Sequence, residues 1–195
     1  MSNQFELLID GYLHKKIGID NGFLNKRLAD GLQQNILRLQ NEQLLTAAGI
    51  SNESIKDQRI RSDKIYWMDR SHDNVYEQEF LQLAEDFIAH LNNTCYTGIN
   101  GYEFHYALYE EGNSYGRHRD RFNNNSSRKY SLISYLNENW LEEDGGQLLV
   151  YQDEGVQKIL PQAQTAVFFK SDEMEHEVTK ASRPRMSISG WLKVI

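Results

Sequence analysis

The apolar positions in the first half of the chain recur mostly at helical spacing. Residues 24–39 and 77–93 each carry an apolar residue about every three or four positions in a polar background. This spacing predicts two amphipathic helices, each with one buried face. Residues 5–9 alternate instead between apolar and polar positions and are predicted to form a short strand. Residues 44–50 are predicted to begin a short helix.

A different pattern begins near residue 98, where short apolar runs alternate with turn residues. Aromatic and β-branched residues dominate these runs, and this composition predicts strands. The predicted strands of this half cover residues 102–109, 117–119, 129–136, 146–151, 156–160, 165–169, 175–179 and 185–194. An earlier run at 63–68 has the same character. About eight short strands at this spacing predict a jelly roll or cupin-like barrel, the double-stranded β-helix.

This division predicts a mainly β fold with flanking helices in a single domain over residues 1–195. Residues 1–98 are expected to form a helical support region, and residues 99–195 the double-stranded β-helix core with the metal site. A chain of 195 residues is long enough for one core of this kind. The N-terminal helices are expected to brace the outer sheet or, equally, to form a dimer face. The sequence therefore leaves the oligomeric state open.

The composition excludes several classes of partner. The formal net charge is −7, and broad phosphate contacts need clustered Lys and Arg, so no nucleic-acid partner is expected. Cys95 is the only cysteine, which excludes an intrachain disulfide and predicts a reducing, cytoplasmic location. Neither a secretory signal pattern nor a run of 18 apolar residues occurs, so no membrane association is expected.

A candidate metal-binding motif lies between two turn-rich loops. His118 and Asp120 are two positions apart, so on an extended strand their side chains point to the same face. Two histidines and one carboxylate form the facial triad of non-haem Fe(II) oxygenases, so a second histidine is needed. His176, on a late predicted strand, is the best candidate, and His105 is the only rival. The other three histidines lie in helical or weakly ordered surroundings.

An arginine in the last predicted strand indicates an anionic ligand near this motif. Arg185 follows His176 by nine positions. A guanidinium buried inside a barrel requires an anion because an unpaired buried charge is costly. A dicarboxylate would match the fork geometry of arginine. Arg183 is the alternative anchor, but the spacing from His176 and the place in the terminal strand favour Arg185.

Several segments together resemble a known enzyme family. They are residues 60–67, 109–120, 134–140, 145–148, 168–169, 176–178 and 185–191. These segments are similar to the Fe(II)- and 2-oxoglutarate-dependent dioxygenases, and specifically to the prolyl 4-hydroxylase branch. That branch includes the hypoxia-factor prolyl hydroxylases and their bacterial relatives. The resemblance covers residues 60–193.

The resemblance implies a role for each candidate residue. The implied ligands of Fe(II) are two imidazoles and one carboxylate, from His118, Asp120 and His176. Arg185 would bind the distal carboxylate of 2-oxoglutarate, and Tyr135 would donate a hydrogen bond to that carboxylate. Tyr109 would face the metal pocket. Both tyrosines also suit ordinary packing in strands.

The implied reaction is the hydroxylation of an unactivated C–H bond with O2, while 2-oxoglutarate is converted to succinate and CO2. Ascorbate is a further small-molecule requirement that this family suggests. A prolyl residue of a protein is the leading substrate, and a free amino acid or other small metabolite is the second. A non-enzymatic cupin-like binding module is the third hypothesis. Nucleic-acid demethylases of the same superfamily usually carry a second arginine six positions after the anchor. This chain has Trp191 at that position, or Ser189 if the anchor is Arg183, which argues against that activity.

Three arginines flank the metal motif on alternating positions. They are Arg117, Arg119 and Arg121. Their positive charge suits either contact with an acidic substrate or a solvated edge of the barrel. The second interpretation is favoured, because charged runs usually lie in solvent.

Overall fold

The computed structural model of the protein describes residues 5–49, 61–120 and 127–195. Within these residues the chain forms three α-helices, one short 3-10 helix (Glu142–Asp144) and eleven strands. The α-helices are α1 (Glu6–Lys15), α2 (Lys26–Asn41) and α3 (Val75–Cys95). The strands are β1 (Ile17–Asp20), β2 (Thr46–Ala47), β3 (Lys64–Trp67), β4 (Gly101–Tyr109), β5 (Tyr115–His118), β6 (Arg128–Tyr135), β7 (Leu148–Gln152), β8 (Gly155–Ile159), β9 (Ala166–Lys170), β10 (Glu175–Val178) and β11 (Arg185–Lys193).

The strands form two antiparallel sheets. The seven-stranded sheet has the order β1-β9-β6-β11-β4-β3-β2, and the four-stranded sheet has the order β5-β10-β7-β8. Side chains from both sheets, among them Tyr109, Ile133, Leu148 and Val150, meet in one apolar cluster between them. Strands that are neighbours in space are often distant in sequence, as in a double-stranded β-helix. The architecture therefore matches the predicted fold class.

Alternation along β4 gives the large sheet two faces with different tasks. Phe104, Tyr106 and Leu108 belong to the larger core cluster together with residues of α2 and α3. His105 and Tyr109, at the intervening positions, line a cavity between the two sheets. Successive side chains of a strand point to opposite faces. One strand therefore joins the helix-braced core to the wall of the cavity.

Helices α2 and α3 brace the outer face of the large sheet, as the sequence predicts. The side chains of Asn25 and Asn74 cap their N-termini by accepting hydrogen bonds from backbone N–H groups. Gly31 does not interrupt α2; it lies where a Cβ atom would collide with the ring of Tyr76 from α3. The glycine therefore allows the two helices to pack closely. None of the helices in the described ranges is both long and apolar enough to cross a lipid bilayer.

The prediction of a strand at residues 5–9 is wrong, because this segment begins helix α1. Leu8 and Ile9 are buried, and Tyr12 packs edge-on against Phe168 of β9. These residues share one face of a helix, whereas Leu7, which belongs to the alternating pattern, is 62% exposed. The sequence pattern also did not indicate β1, which pairs with β9 at one edge of the large sheet.

The prediction of a short helix at residues 44–50 is also wrong. Residues 46 and 47 form β2, which pairs with β3 at the other edge of the large sheet, and residue 50 lies outside the described part. A helix of a few residues is marginal by itself, whereas pairing with β3 gives the same backbone a ladder of hydrogen bonds. The described residues of the first half thus contribute three strands to the large sheet. This interleaving supports a single domain over residues 1–195, which stays a prediction.

Candidate active site

Two strands of the small sheet bring together the three predicted metal ligands. β5 and β10 are antiparallel, and His118 lies directly opposite His176 in their register. β5 ends at His118, and the bend that follows carries Asp120 back towards the same point. Asp120 Oδ1 lies 3.6 Å from His118 Nε2 and 3.7 Å from His176 Nε2. The three side chains offer donor atoms that all lie within 4.8 Å of one another.

Backbone carbonyls determine which nitrogen of each imidazole faces this centre. His118 Nδ1 lies 2.8 Å from the carbonyl oxygen of Gly116, and His176 Nδ1 lies 3.2 Å from that of Met174. A carbonyl only accepts hydrogen bonds, so Nδ1 carries a proton in both rings and Nε2 is the nitrogen that faces the centre. Burial lowers the pKa of His176 to about 4, so this imidazole is neutral near pH 7. Both Nε2 atoms are therefore ready to bind a cation.

The carboxylate of Asp120 completes an anionic centre. Burial alone would raise the pKa of Asp120, but the imidazoles of His176 and His118 and the hydroxyl of Ser131 hold it well below its usual range. Tyr115 stacks on the ring of His118, with ring centroids 3.6 Å apart. Two imidazoles and one carboxylate suit Fe(II) and leave three coordination positions open. The residues present thus fit the metal that the sequence implies.

Arg185 lies in the same cavity and is 1% exposed. Its Nε donates to the carbonyl oxygen of Gly146 at 2.8 Å, and its Nη1 lies 3.5 Å from the hydroxyl of Ser187. Within residues 5–49, 61–120 and 127–195, no carboxylate forms an ion pair with Arg185. A buried guanidinium without an anion is costly, because the charge has lost its hydration. The site therefore fits a carboxylate ligand.

Two tyrosines stand beside this guanidinium. The Arg185 Cζ atom lies 5.1 Å from the ring centroids of both Tyr109 and Tyr135. The Tyr135 hydroxyl is buried and makes no well-formed hydrogen bond with the described residues. Burial raises the pKa of Tyr135 to about 12 and that of Tyr109 well above its usual value, so both keep their protons. Tyr135 thus offers a free O–H donor next to Arg185.

Comparison with known proteins identifies the family. Residues 104–193 match the family model of the 2OG-Fe(II) oxygenase superfamily. A prolyl-4-hydroxylase from Pseudomonas putida is 30% identical, with a TM-score of 0.91, and the match covers 98% of this chain and 100% of that protein. The chain belongs to the 2OG-Fe(II) oxygenase superfamily. It is an oxidoreductase of the iron- and 2-oxoglutarate-dependent class, and the predicted family and fold are confirmed.

Two further structures resemble this oxygenase. A prolyl hydroxylase from Trichoplax adhaerens, solved with a peptide of hypoxia inducible factor, is 26% identical with a TM-score of 0.87. That match covers 96% of this chain and 88% of the other. A viral collagen prolyl hydroxylase from Paramecium Bursaria Chlorella virus-1 is 18% identical with a TM-score of 0.67, over 93% of this chain and 97% of the other. The last similarity shows a shared fold alone.

The structure places the two candidate anchor arginines of the oxygenase on different surfaces. Arg185 lines the cavity, whereas the Arg183 side chain is 39% exposed and pairs with Asp144 at 2.9 Å. Arg183 also packs over the ring of Trp140. Its charge is therefore already balanced outside the cavity. Of the two, only Arg185 is placed to meet a ligand beside the metal cluster.

Sequence reasoning missed several residues of the cavity wall. Arg61 and Asp63 line the cavity and form an ion pair with two hydrogen bonds, of 2.7 and 2.9 Å. The similarity of residues 60–67 to the family was the available signal, but it did not indicate what either residue does.

His105, the rival third ligand, lies outside the metal cluster and has Trp67 and Trp191 as ring neighbours. Its place on β4, four positions before Tyr109, would have put it in the cavity wall.

The basic edge around the metal motif is a solvated, paired surface where it is described. Arg117 bonds to Glu175 and lies over the ring of Tyr151, with Cζ 3.8 Å from the centroid. Arg119 lies 3.8 Å from the same carboxylate. Arg121 lies outside the described residues. The two described arginines therefore agree with the favoured interpretation.

Proposed function

We propose that this oxygenase hydroxylates a prolyl residue of a protein or peptide. The supporting observation is the match along nearly the whole chain to the prolyl-4-hydroxylase from Pseudomonas putida. The Trichoplax adhaerens enzyme, which binds a peptide of hypoxia inducible factor, points in the same direction. A free amino acid or small metabolite is the alternative substrate, because the same site would serve it equally well.

His118, Asp120 and His176 are proposed to hold Fe(II). Their geometry supports this role, since the two Nε2 atoms and Asp120 Oδ1 face one point. Bound Fe(II), with O2 and 2-oxoglutarate, supplies the chemistry that hydroxylates a C–H bond and releases succinate and CO2. The chain itself keeps the imidazoles in one tautomer through the carbonyls of Gly116 and Met174. The ligands therefore need no rearrangement to bind the metal.

Arg185 is proposed to bind the distal carboxylate of 2-oxoglutarate. The supporting observation is a buried guanidinium whose remaining N–H groups have no anion among the described residues. The Tyr135 hydroxyl is proposed to donate to the same carboxylate, and Tyr109 is proposed to form the wall beside it. Apolar residues, among them Ile133 and Leu148, complete the cavity, and a partly apolar surrounding strengthens charge-assisted bonds. Ascorbate stays a prediction.

The experiment that tests the substrate is mass spectrometry of proteins from the host organism. Strains with the gene, without it, and with a His118→Ala copy are compared. A proline that gains one oxygen in the first strain only is the expected result. If no proline mark follows the active gene, and a free amino acid is hydroxylated by the purified enzyme instead, the metabolite alternative replaces the proposal.

A second measurement tests the site without any knowledge of the substrate. Anaerobic protein loaded with Fe(II) is titrated with 2-oxoglutarate, and binding is followed by calorimetry. One equivalent is expected to bind to the wild-type protein and none to bind tightly without Fe(II). Binding that does not depend on the metal would contradict the proposed site.

A further inference from the structure

A row of buried hydroxyl groups leads from the large sheet to the metal cluster. Ser131 lies on β6, on the same face as Tyr135, and is 1% exposed. Its Oγ lies 2.6 Å from Asp120 Oδ2 and 2.9 Å from the Oγ of Ser171. Ser171 directly follows β9, the neighbour of β6, and is fully buried. The row therefore runs Ser171, Ser131, Asp120 and involves no atom that is open to solvent except at the carboxylate.

The direction of the two hydrogen bonds follows from the number of protons available. A hydroxyl carries one proton, and an ionised carboxylate can only accept. Ser131 therefore donates its proton to Asp120, and Ser171 must donate to Ser131. The bond to the carboxylate is short, as charge-assisted O–H to carboxylate bonds are. The donor and one acceptor position of the Ser131 hydroxyl are thereby used, which fixes its orientation.

The two oxygens of Asp120 consequently have different environments. Oδ1 faces the Nε2 atoms of His118 and His176, at 3.6 and 3.7 Å. Oδ2 is tied to Ser131 on the other side. Only Oδ1 is placed among the donor atoms of the cluster.

We infer that Ser131, oriented by Ser171, is a positioning residue that presents Asp120 as a ligand with one oxygen. The inference rests on the proposed Fe(II) site and deepens it. A facial triad is useful because three coordination positions stay open. If Oδ2 were free to turn towards the metal, the carboxylate would occupy one of these positions. The cosubstrate and O2 together would then compete with the protein for the remaining ones.

The chain offers a matched control for this inference on the same strand. Ser134 of β6 is fully buried, and its Oγ has no hydrogen-bond partner among the described residues. It lies three positions from Ser131 and therefore on the opposite face of the strand. Ser131→Ala and Ser134→Ala each remove one buried hydroxyl from β6. Only the first removes a hydrogen bond to the proposed metal ligand.

The first measurement is an anaerobic titration of the metal-free protein with Fe(II), and with Co(II) as an air-stable probe. Loss of an outer partner of a metal ligand typically weakens metal binding by about 10- to 100-fold. Ser131→Ala is expected to show a loss of this size. Ser134→Ala is expected to stay within about twofold of the wild type, because its hydroxyl contacts no metal ligand and such losses come from the partners of ligands. Ser131→Thr keeps the hydroxyl and is expected to restore most of the affinity.

The second measurement is 2-oxoglutarate binding to protein saturated with Fe(II) under anaerobic conditions. Ser131→Ala is expected to bind 2-oxoglutarate several-fold more weakly even when every site holds metal, because Asp120 Oδ2 is released. Ser171→Ala is expected to change both affinities in the same direction by less. The double variant is expected to be no worse than Ser131→Ala, since groups that act through one another are not additive. Ser171→Ala leaves all contacts of Asp120 in place, so it also serves if Ser131→Ala folds poorly.

The outcomes separate the two proposals. If wild-type protein binds Fe(II) and 2-oxoglutarate but Ser131→Ala behaves like Ser134→Ala in both titrations, the positioning role is wrong and the proposed function stands. If wild-type protein fails to bind Fe(II), both proposals are wrong. Thermal unfolding of each metal-free variant checks that a change in affinity does not reflect a loss of folded protein.

Discussion

The metal end and the cosubstrate end of the candidate site differ in how their polar groups are satisfied. At the metal end, the Nδ1 atoms of both histidines bond to backbone carbonyls, and Asp120 Oδ2 accepts from Ser131. At the cosubstrate end, Arg185 has no anion within the described residues, and the Tyr135 hydroxyl makes no well-formed bond. At the metal end, the protein therefore supplies hydrogen-bond partners for the outer atoms of the ligands, and only the atoms that face the metal position are left for the metal.

This difference suggests a division of labour. A metal ion needs donor atoms that are already deprotonated and oriented, and outer hydrogen bonds supply that orientation. A dicarboxylate must enter and leave in each cycle, so its site keeps a charge and a hydroxyl free for it. Burial of an unpaired guanidinium lowers the stability of the empty protein, and ligand binding recovers that loss. We therefore expect the two ends to respond differently to substitution.

The largest effect is expected from His118→Ala. The variant removes one of the three donor groups, so Fe(II) affinity should fall by more than about 100-fold, because even outer partners of ligands contribute about 10- to 100-fold. Fe(II)-dependent conversion of 2-oxoglutarate to succinate should disappear. Anaerobic calorimetry and a succinate assay measure both quantities. Turnover at the wild-type rate would contradict the role of the metal end.

Arg185→Ala should weaken 2-oxoglutarate binding and leave Fe(II) binding unchanged. Hydrogen bonds to charged groups contribute about 1.5–3 kcal/mol, which corresponds to roughly 10- to 150-fold in affinity. Calorimetric titration of the Fe(II)-loaded variant with 2-oxoglutarate measures the change.

Arg183→Ala is the matched control for this prediction. Its side chain is partly exposed and paired with Asp144 outside the cavity, so 2-oxoglutarate affinity should change by less than about twofold, as expected for a surface ion pair. A larger effect of Arg183→Ala than of Arg185→Ala would reverse the assignment of the anchor.

The sequence predicted the metal end more completely than its support. Residue type and spacing pointed to His118, Asp120 and His176, because metal ligands come from a short list of side chains. Ser131 could not be found in this way, since serine is common and its contact with Asp120 depends on how β6 faces the bend after β5. The sequence did not indicate Arg61 and Asp63 as cavity residues, for a similar reason. Their ion pair lies at the cavity because Arg61 bridges to Tyr115 of β5 and the strand that follows, β3, pairs with β4.

The sequence pattern likewise predicted only part of the fold. Long helical stripes predicted α2 and α3, and aromatic runs predicted the strands of the second half. The segments that failed, residues 5–9 and 44–50, are short and take their structure from a partner. Tyr12 turns towards Phe168 of β9, and β2 pairs with β3. Local periodicity does not contain such contacts.

His105 lies in a third part of the cavity, the wall next to Trp67 and Trp191. Its Nδ1 is buried without a hydrogen-bond partner among the described residues, and burial, aided by the nearby charge of Arg61, lowers its pKa to about 4. Between its ordinary value near 6.5 and this value, the unfolded chain binds a proton that the folded protein does not. Stability therefore falls as the pH decreases through this window.

The expected loss from this one group is about 2 kcal/mol between pH 7 and pH 5. His105→Phe keeps an aromatic ring but cannot be protonated. Urea unfolding of the metal-free variant at the two pH values should show a loss that is smaller by about that amount. The same acid sensitivity in wild type and variant would show that His105 is not the group responsible.

The smallest effect is expected at the exposed edge beside the metal end. Arg117 pairs with Glu175 and lies over Tyr151, and about half of its side chain is exposed. Surface ion pairs contribute about 0–1 kcal/mol, so Arg117→Ala should change the free energy of unfolding by no more than this. Fe(II) and 2-oxoglutarate affinities should be unchanged, because the guanidinium points away from the cluster that His118 joins. If Arg117→Ala instead weakened binding of an acidic prolyl peptide, and added salt weakened it in the wild type as well, this edge would belong to the substrate site. The main functional difference would then be between the cavity interior, which binds the metal and 2-oxoglutarate, and an outer edge that recognises charge on the substrate. It would no longer be between the two ends of the cavity.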